Sequence, residues 1–343
     1  VLREYVVSEA MHALGIPTTR ALAAVATGDD ILREQGMLPG AVLTRVASSH
    51  LRVGTFQIFA HRGQIEDLQT LTDYAIARHY PEADGPLGLL KAVCAKQAEL
   101  IAAWMSVVFI HGVMNTDNCS ISGETIDYGP CAFMDSFHMG MVFSSIDRES
   151  RYAYGNQPNM AMWNMAQLAT SLLQLAQDQD AALEEATAII HAMPEQIETA
   201  WLARFGAKIG LQNPTKQDTD LIQSLLDLMQ KDGADFTNTF RALSGEDARN
   251  QFTDRDAFDA WSQDHKERLA SEPDPLGTMD ATNPAVIPRN HRMEQMIEAA
   301  TAGDMAPFNR LMNALATPYT LSDTELAKPP SPSEQVSATF CGT

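Results

Sequence analysis

The sequence predicts an α+β fold in which helices dominate. Apolar residues recur at helical spacing from residue 64 to residue 271, two Val- and Leu-rich runs of strand length precede them, and short β-like runs interrupt them once. Taken in order, residues 3–14 place Tyr5, Val6, Ala10, Ala13 and Leu14 on one helical face, and Gly15-Ile-Pro17 closes the pattern with a cap glycine and a breaking proline. Residues 21–26 and 41–47 read as strands, with Gly28-Asp-Asp and Leu38-Pro-Gly40 marking the loop between them. Helices are then expected over 64–79, 88–109, 159–176, 181–192, 194–209, 215–232, 235–243 and 256–271. In the middle, 119–122 and 125–128 are β-like and joined by Gly123-Glu124, which fits a small hairpin. After Pro273 two more helices are expected, over 292–302 and 306–316, and 328–343 is a polar, Pro-rich tail, disordered or ordered only on contact. Met160, Met162 and Met165, at helical spacing, read as core filler.

Composition excludes several functions. The 343 residues are enough to bury a large core, but Lys and Arg number 24 against 44 Asp and Glu, a net charge of −20. Such a surface repels nucleic acid and anionic lipid, so neither is an expected partner, and a phosphate ligand needs a local basic cluster. The longest apolar stretch, 100–110, is about half the span a bilayer requires. The start has no signal-peptide pattern. Cys94, Cys119, Cys131 and Cys341 form no CxxC or Cys/His pair, which points to a reducing compartment and a cytoplasmic protein, expected as a monomer. The chain begins at Val1 and has no Lys before Lys91, so its beginning reads as cut.

Chemistry concentrates after the long apolar helix. His111-Gly-Val-Met-Asn-Thr-Asp117-Asn118 is followed by Asp127-Tyr128-Gly129. Protein kinases place H-R-D-x-x-x-x-N after such a helix and D-F-G after a hairpin, so His111, Asn118 and Asp127 fall on the template. Val113 stands where the kinase aspartate would, and valine cannot accept a proton; the nearest carboxylate is Asp117. Asn118 and Asp127 are oxygen donors of the kind Mg²⁺ takes, one or two from protein and the rest from phosphate and water. The plain alternative is a turn whose Asp and Asn side chains satisfy nearby backbone groups. A second cluster contains Arg45 and Arg52. Arg45 lies in an apolar strand and needs an anion, either a protein carboxylate or a phosphate gripped by the two arginine forks.

These stretches resemble the selenoprotein O (SelO) family of protein-kinase-like adenylyltransferases. The likeness runs through residues 3–22, 39–56, 111–121, 125–130 and 151–158, and more weakly through Asn283-Pro, Arg289-Asn and Cys341-Gly-Thr. It implies a protein-kinase-like fold, here mostly the helical C-lobe with the remaining part of a small β-containing N-lobe: a partial N-lobe over 1–58, a C-lobe carrying the catalytic loop and metal-binding hairpin over 59–327, and a tail over 328–343. It also implies transfer of AMP from ATP to Ser, Thr or Tyr hydroxyls of other proteins, with Mg²⁺ or alternatively Mn²⁺. Asp117 would be the proton acceptor, Asn118 and Asp127 the metal ligands, Arg45 and Arg52 the phosphate contacts with Asp127 also near the nucleotide, and Glu4 the helix glutamate that pairs with a strand lysine.

Departures temper the likeness. The Gly-rich loop and that lysine precede the point where this chain begins, so on the family pattern Glu4 lacks its partner and transfer by this chain alone is expected to be weak. Some members join a C-terminal Cys to one just after D-Y-G; here Cys341 is present, Phe143 holds the other position, and Cys131 is the nearest substitute. The competing expectations are a catalytically inactive kinase-like (pseudokinase) binding module and UMP transfer from UTP.

Overall fold

The computed structural model describes residues 1–33 and 36–340. Helix α1 (Leu2–Ala13) buries Val6, Val7, Ala10 and Met11, and Tyr319 fastens its end by donating a hydrogen bond to the Leu14 carbonyl at 3.0 Å. Strands β1 (Arg20–Arg33) and β2 (Gly36–Val46) form an antiparallel pair in register from Arg20↔Val46 to Arg33↔Gly36. Both strands run further than the sequence predicts. The expected connecting loop is mostly ladder, because the register shift between Ala26 and Asp30 takes up the Gly28-Asp-Asp turn signal. A two-stranded ribbon is marginal by itself. This one is tied to α1 by Glu9, which accepts from Arg20 Nε at 2.8 Å and from the Ala21 N–H at 3.1 Å.

Helix α2 (Val53–His61) follows, then α3 (Ile65–His79) and α4 (Gly85–Ser106). The sequence gives α2 no helical signature: its Val, Thr, Ile and two Phe favour extended backbone and its Gly is a poor helix former. Burial of Val53 and Phe56 in the core decides its conformation. Helix α4 is the axis of the core, burying Leu89, Val93, Leu100, Ile101 and Trp104.

Short strands β3 (Phe109–Ile110) and β4 (Ala132–Phe133) pair antiparallel, and α5 (Gln157–Leu172) packs on α4, with Met160 and Met165 buried and Met162 half-buried. The remaining helices are α6 (Gln179–His191), α7 (Met193–Lys208), α8 (Thr219–Asp232), α9 (Phe236–Ala242), α10 (Arg255–Leu269), α11 (Pro275–Thr282), α12 (Asn290–Thr301), α13 (Ala306–Leu315) and α14 (Thr324–Ala327). Buried residues from α1 through α14 join one continuous apolar cluster.

The expected hairpin over 119–128 does not form. Ser120 bridges Arg52 in antiparallel sense and Thr125 bridges Thr18 in parallel sense, so each half pairs with a distant segment and not with the other. The tail takes the ordered-on-contact form. Thr339 is buried; its N–H donates to the Phe143 carbonyl at 2.7 Å and the Ser145 N–H donates back to Thr339. Cys341 lies outside the described residues. Cys94, Cys119 and Cys131 are buried free thiols, and burial pushes each up to about 12. Among the described residues no helix is long and apolar enough to cross a membrane.

Candidate active site

The site is assembled from two loops braced against each other. The first, 111–118, leaves β3. His111 is fully buried; the Val113 N–H donates to its Nδ1 at 3.3 Å, so Nε2 carries the proton and donates to the Ile126 carbonyl at 2.9 Å. Burial holds the imidazole below its ordinary pKa and hence neutral. Gly112, at φ +83°, lies so close to the second loop that a Cβ would stand 2.8 Å from the Pro130 carbonyl oxygen. Gln157 of α5 locks the entry by accepting from the His111 N–H (3.1 Å) and donating to the Phe109 carbonyl (3.0 Å). Asn164 does the same further along, donating to the Met114 carbonyl at 3.0 Å.

Asn115 then turns the chain. Its Oδ1 accepts from the N–H groups of both Asp117 and Asn118 at 3.0 Å, capping the short 3₁₀ turn Thr116–Asn118. Asn118 Nδ2 donates to the Val113 carbonyl at 3.0 Å, which leaves Oδ1 as the atom free for a cation. Asp117 is exposed and its residue packs against the first turn of α2. Asn115 thus satisfies the backbone of the turn, as does Asn118 Nδ2 at Val113, and the side-chain oxygens of Asp117 and Asn118 are not used in it.

Asp127 adopts the left-handed conformation, φ +68°, which Asp tolerates better than most residues and which sharply re-aims the chain after Ile126. Its carboxylate has one weak contact, the Gly129 N–H at 3.4 Å. Tyr128 is buried, its hydroxyl bonded to Thr18 and kept neutral by burial. Among the described residues no three His, Cys, Asp or Glu side chains stand together as a metal cage; the candidate donors are the Asn118 and Asp127 oxygens, with phosphate or water to complete a cation's shell. That donor set fits Mg²⁺.

Glu4 occupies a junction. One carboxylate oxygen is ion-paired with Arg45 of β2, and the other accepts from the Tyr128 N–H at 2.7 Å. The protein-carboxylate reading of Arg45 therefore holds: its guanidinium is paired with the Glu4 carboxylate. Arg45 Nε is nevertheless buried without a partner, and so is Arg52 Nε. Among the described residues no carboxylate pairs with Arg52. A guanidinium nitrogen without a partner is a donor that an anion can satisfy.

Of the residues the sequence brings out, Glu4 and Arg45 are ion-paired, Glu4 also reaches the backbone of Tyr128 next to Asp127, Asp117 and Asn118 share one capped turn, and the backbone of Arg52 bridges Ser120. The sequence does not single out Asn115, Gln157 or Asn164. Gln157 lies within the stretch 151–158 that carries the family likeness, whereas Asn164 stands in a Met-rich helix and has no local signal.

With the geometry in hand, the comparison with known proteins is direct. The sequence profile described as "Protein adenylyltransferase SelO" matches residues 1–316. The chain belongs to the SelO family. Among SelO relatives, the "Protein nucleotidyltransferase YdiU" of Roseobacter denitrificans is 67% identical over 343 residues, which is 100% of this chain and 73% of that protein. Proteins with the same description from Jannaschia sp. and Bradyrhizobium diazoefficiens are 55% and 53% identical, again over 100% of this chain and over 73% and 74% of theirs.

Proposed function

We propose that this chain acts as a Mg²⁺-dependent protein adenylyltransferase, moving AMP from ATP to a Ser, Thr or Tyr hydroxyl of another protein. The observation that carries this reading is the bracing of the Asp117–Asn118 turn to the Asp127 segment through His111 and Gly112; Arg45 and Arg52 each add an Nε without a partner among the described residues. Family membership supports protein nucleotidyl transfer.

In this reading Arg45 and Arg52 hold the triphosphate. Asp117, exposed at the loop tip, takes the proton of the acceptor hydroxyl as its oxygen attacks the α-phosphorus. The bond between the α-phosphorus and the bridging oxygen breaks, and pyrophosphate leaves with the electron pair. A divalent cation held by Asn118 and Asp127 would neutralise phosphate charge and that of the leaving group. Val113 needs no base function, since Asp117 supplies it; its backbone supports His111 and Asn118.

ATP labelled at the α-phosphate tests the proposal. Protein-bound label is expected with Mg²⁺ or Mn²⁺, absent in Asp127→Ala, and absent in Asp117→Ala although that variant still binds nucleotide. No label under any metal condition would leave a binding module as the function, and stronger labelling from α-labelled UTP would make UMP the transferred group.

A further inference from the structure

Helix α2 begins Val53-Gly54-Thr55, and Gly54 is buried. Glycine is a poor helix former and alanine the best, so a glycine in a helix calls for a reason. Gly54 is not among the residues with positive φ, so its backbone conformation does not demand glycine. Space does. A Cβ on Gly54 would overlap Asp117 Oδ1, and would stand 3.2 Å from Asp117 Cγ and 3.4 Å from the Thr116 carbonyl oxygen. The backbone contact is an ordinary one; the overlap is with the carboxylate alone.

Neither partner can drift to make room. The Val53 N–H donates to the Cys119 carbonyl at 3.0 Å and the Ile121 N–H to the Leu51 carbonyl at 3.1 Å, tying the start of α2 to the chain just past Asn118. On the other side, Asn115 Oδ1 pins the backbone of Asp117 and Asn118. With both main chains held, the side chain of Asp117 is the part that must swing away.

We propose that Gly54 is a positioning residue for Asp117: its missing side chain is the room in which that carboxylate stands to take the acceptor proton. The inference rests on the adenylyl-transfer reading above. An added methyl group would misplace the carboxylate while leaving the fold and the nucleotide contacts in place, and a misplacement of about 1 Å at a reacting group can cost roughly 10²-fold in rate.

The test is Gly54→Ala in the purified protein, assayed with ATP labelled at the α-phosphate beside wild type, Asp117→Ala and the double variant. The expected result is a kcat lowered tenfold or more with KM for ATP little changed, and a Tm equal to wild type or higher, the double variant serving as the Tm control. Wild-type kcat in Gly54→Ala, or a loss expressed in KM alone, would overturn the assignment while Asp117→Ala remains inactive. Full activity in Asp117→Ala would overturn it together with the reading it rests on. If Gly54→Ala lowers Tm, the Asp117→Ala background should restore it; a Tm that stays low would show that the glycine serves the helix and not the carboxylate.

Discussion

Arg45 and Arg52, seven residues apart, have different obligations. Arg45 is ion-paired with Glu4, whose side chain is only 13% exposed, so its removal leaves a largely buried carboxylate with the Tyr128 N–H as its remaining donor. Arg45→Ala is therefore expected to cost stability, by about 1–2 kcal/mol for a partly exposed pair of this kind. Arg52 has no carboxylate partner among the described residues. Arg52→Ala should change stability by no more than about 0.5 kcal/mol, yet weaken nucleotide binding roughly tenfold, the worth of one charge-assisted phosphate contact. Thermal denaturation and a nucleotide titration on both variants check this; equal destabilisation, or unchanged nucleotide affinity in Arg52→Ala, would refute the division.

At the scale of elements, the turn Thr116–Asn118 depends on one side chain. Asn115 caps two N–H groups, so Asn115→Ala should cost about 1 kcal/mol and lower kcat more than nucleotide affinity, because it loosens Asp117 without touching the arginines. Steady-state kinetics against a binding titration separates the two. The motif was legible in the sequence because its chemistry needs particular polar residues at fixed spacing: His111, Asn118 and Asp127 cannot be exchanged for isosteres and keep the same contacts. Long periodic helices such as α3 and α8 were legible for a different reason, the repeat of buried positions. The 119–128 segment was not. Only Ser120 and Thr125 pair, as isolated bridges, residues 121–122 turn and Asp127 is left-handed; what pairing there is forms with whatever the fold brings near, here residues 51–53 and Thr18, more than sixty positions away. Helix α2 was lost for the same cause, its helicity decided by the core packing of Val53 and Phe56 and not by its own propensities.

For the molecule as a whole, pH dependence follows from buried titratable groups. Lys208, at the end of α7, is 2% exposed; its ammonium lies 5.1 Å from the Phe236 ring and 4.6 Å from the Phe240 ring, and none of the ion pairs among the described residues includes it. Burial lowers its pKa from 10.5 to about 7. Between those values the unfolded chain carries a proton that the folded protein lacks, so stability rises with pH from about 7 upward and is insensitive to this group below. The three buried thiols act in the opposite sense. Raised to about 12, they keep their protons in the fold, while unfolded cysteines lose theirs above about 8.5, so stability falls with pH beyond that point. Wild type should therefore gain up to about 2 kcal/mol between pH 7 and 8.5, one proton across that interval, and lose stability above it. The aromatic faces favour the ammonium and trim the gain. Lys208→Met keeps the apolar stem and removes the charge, so it should be more stable than wild type at pH 7 and show no rise before the decline. Denaturant midpoints at pH 7.0, 7.8, 8.5 and 9.5 for both proteins test this, and a rise of equal size in Lys208→Met would assign it to other groups.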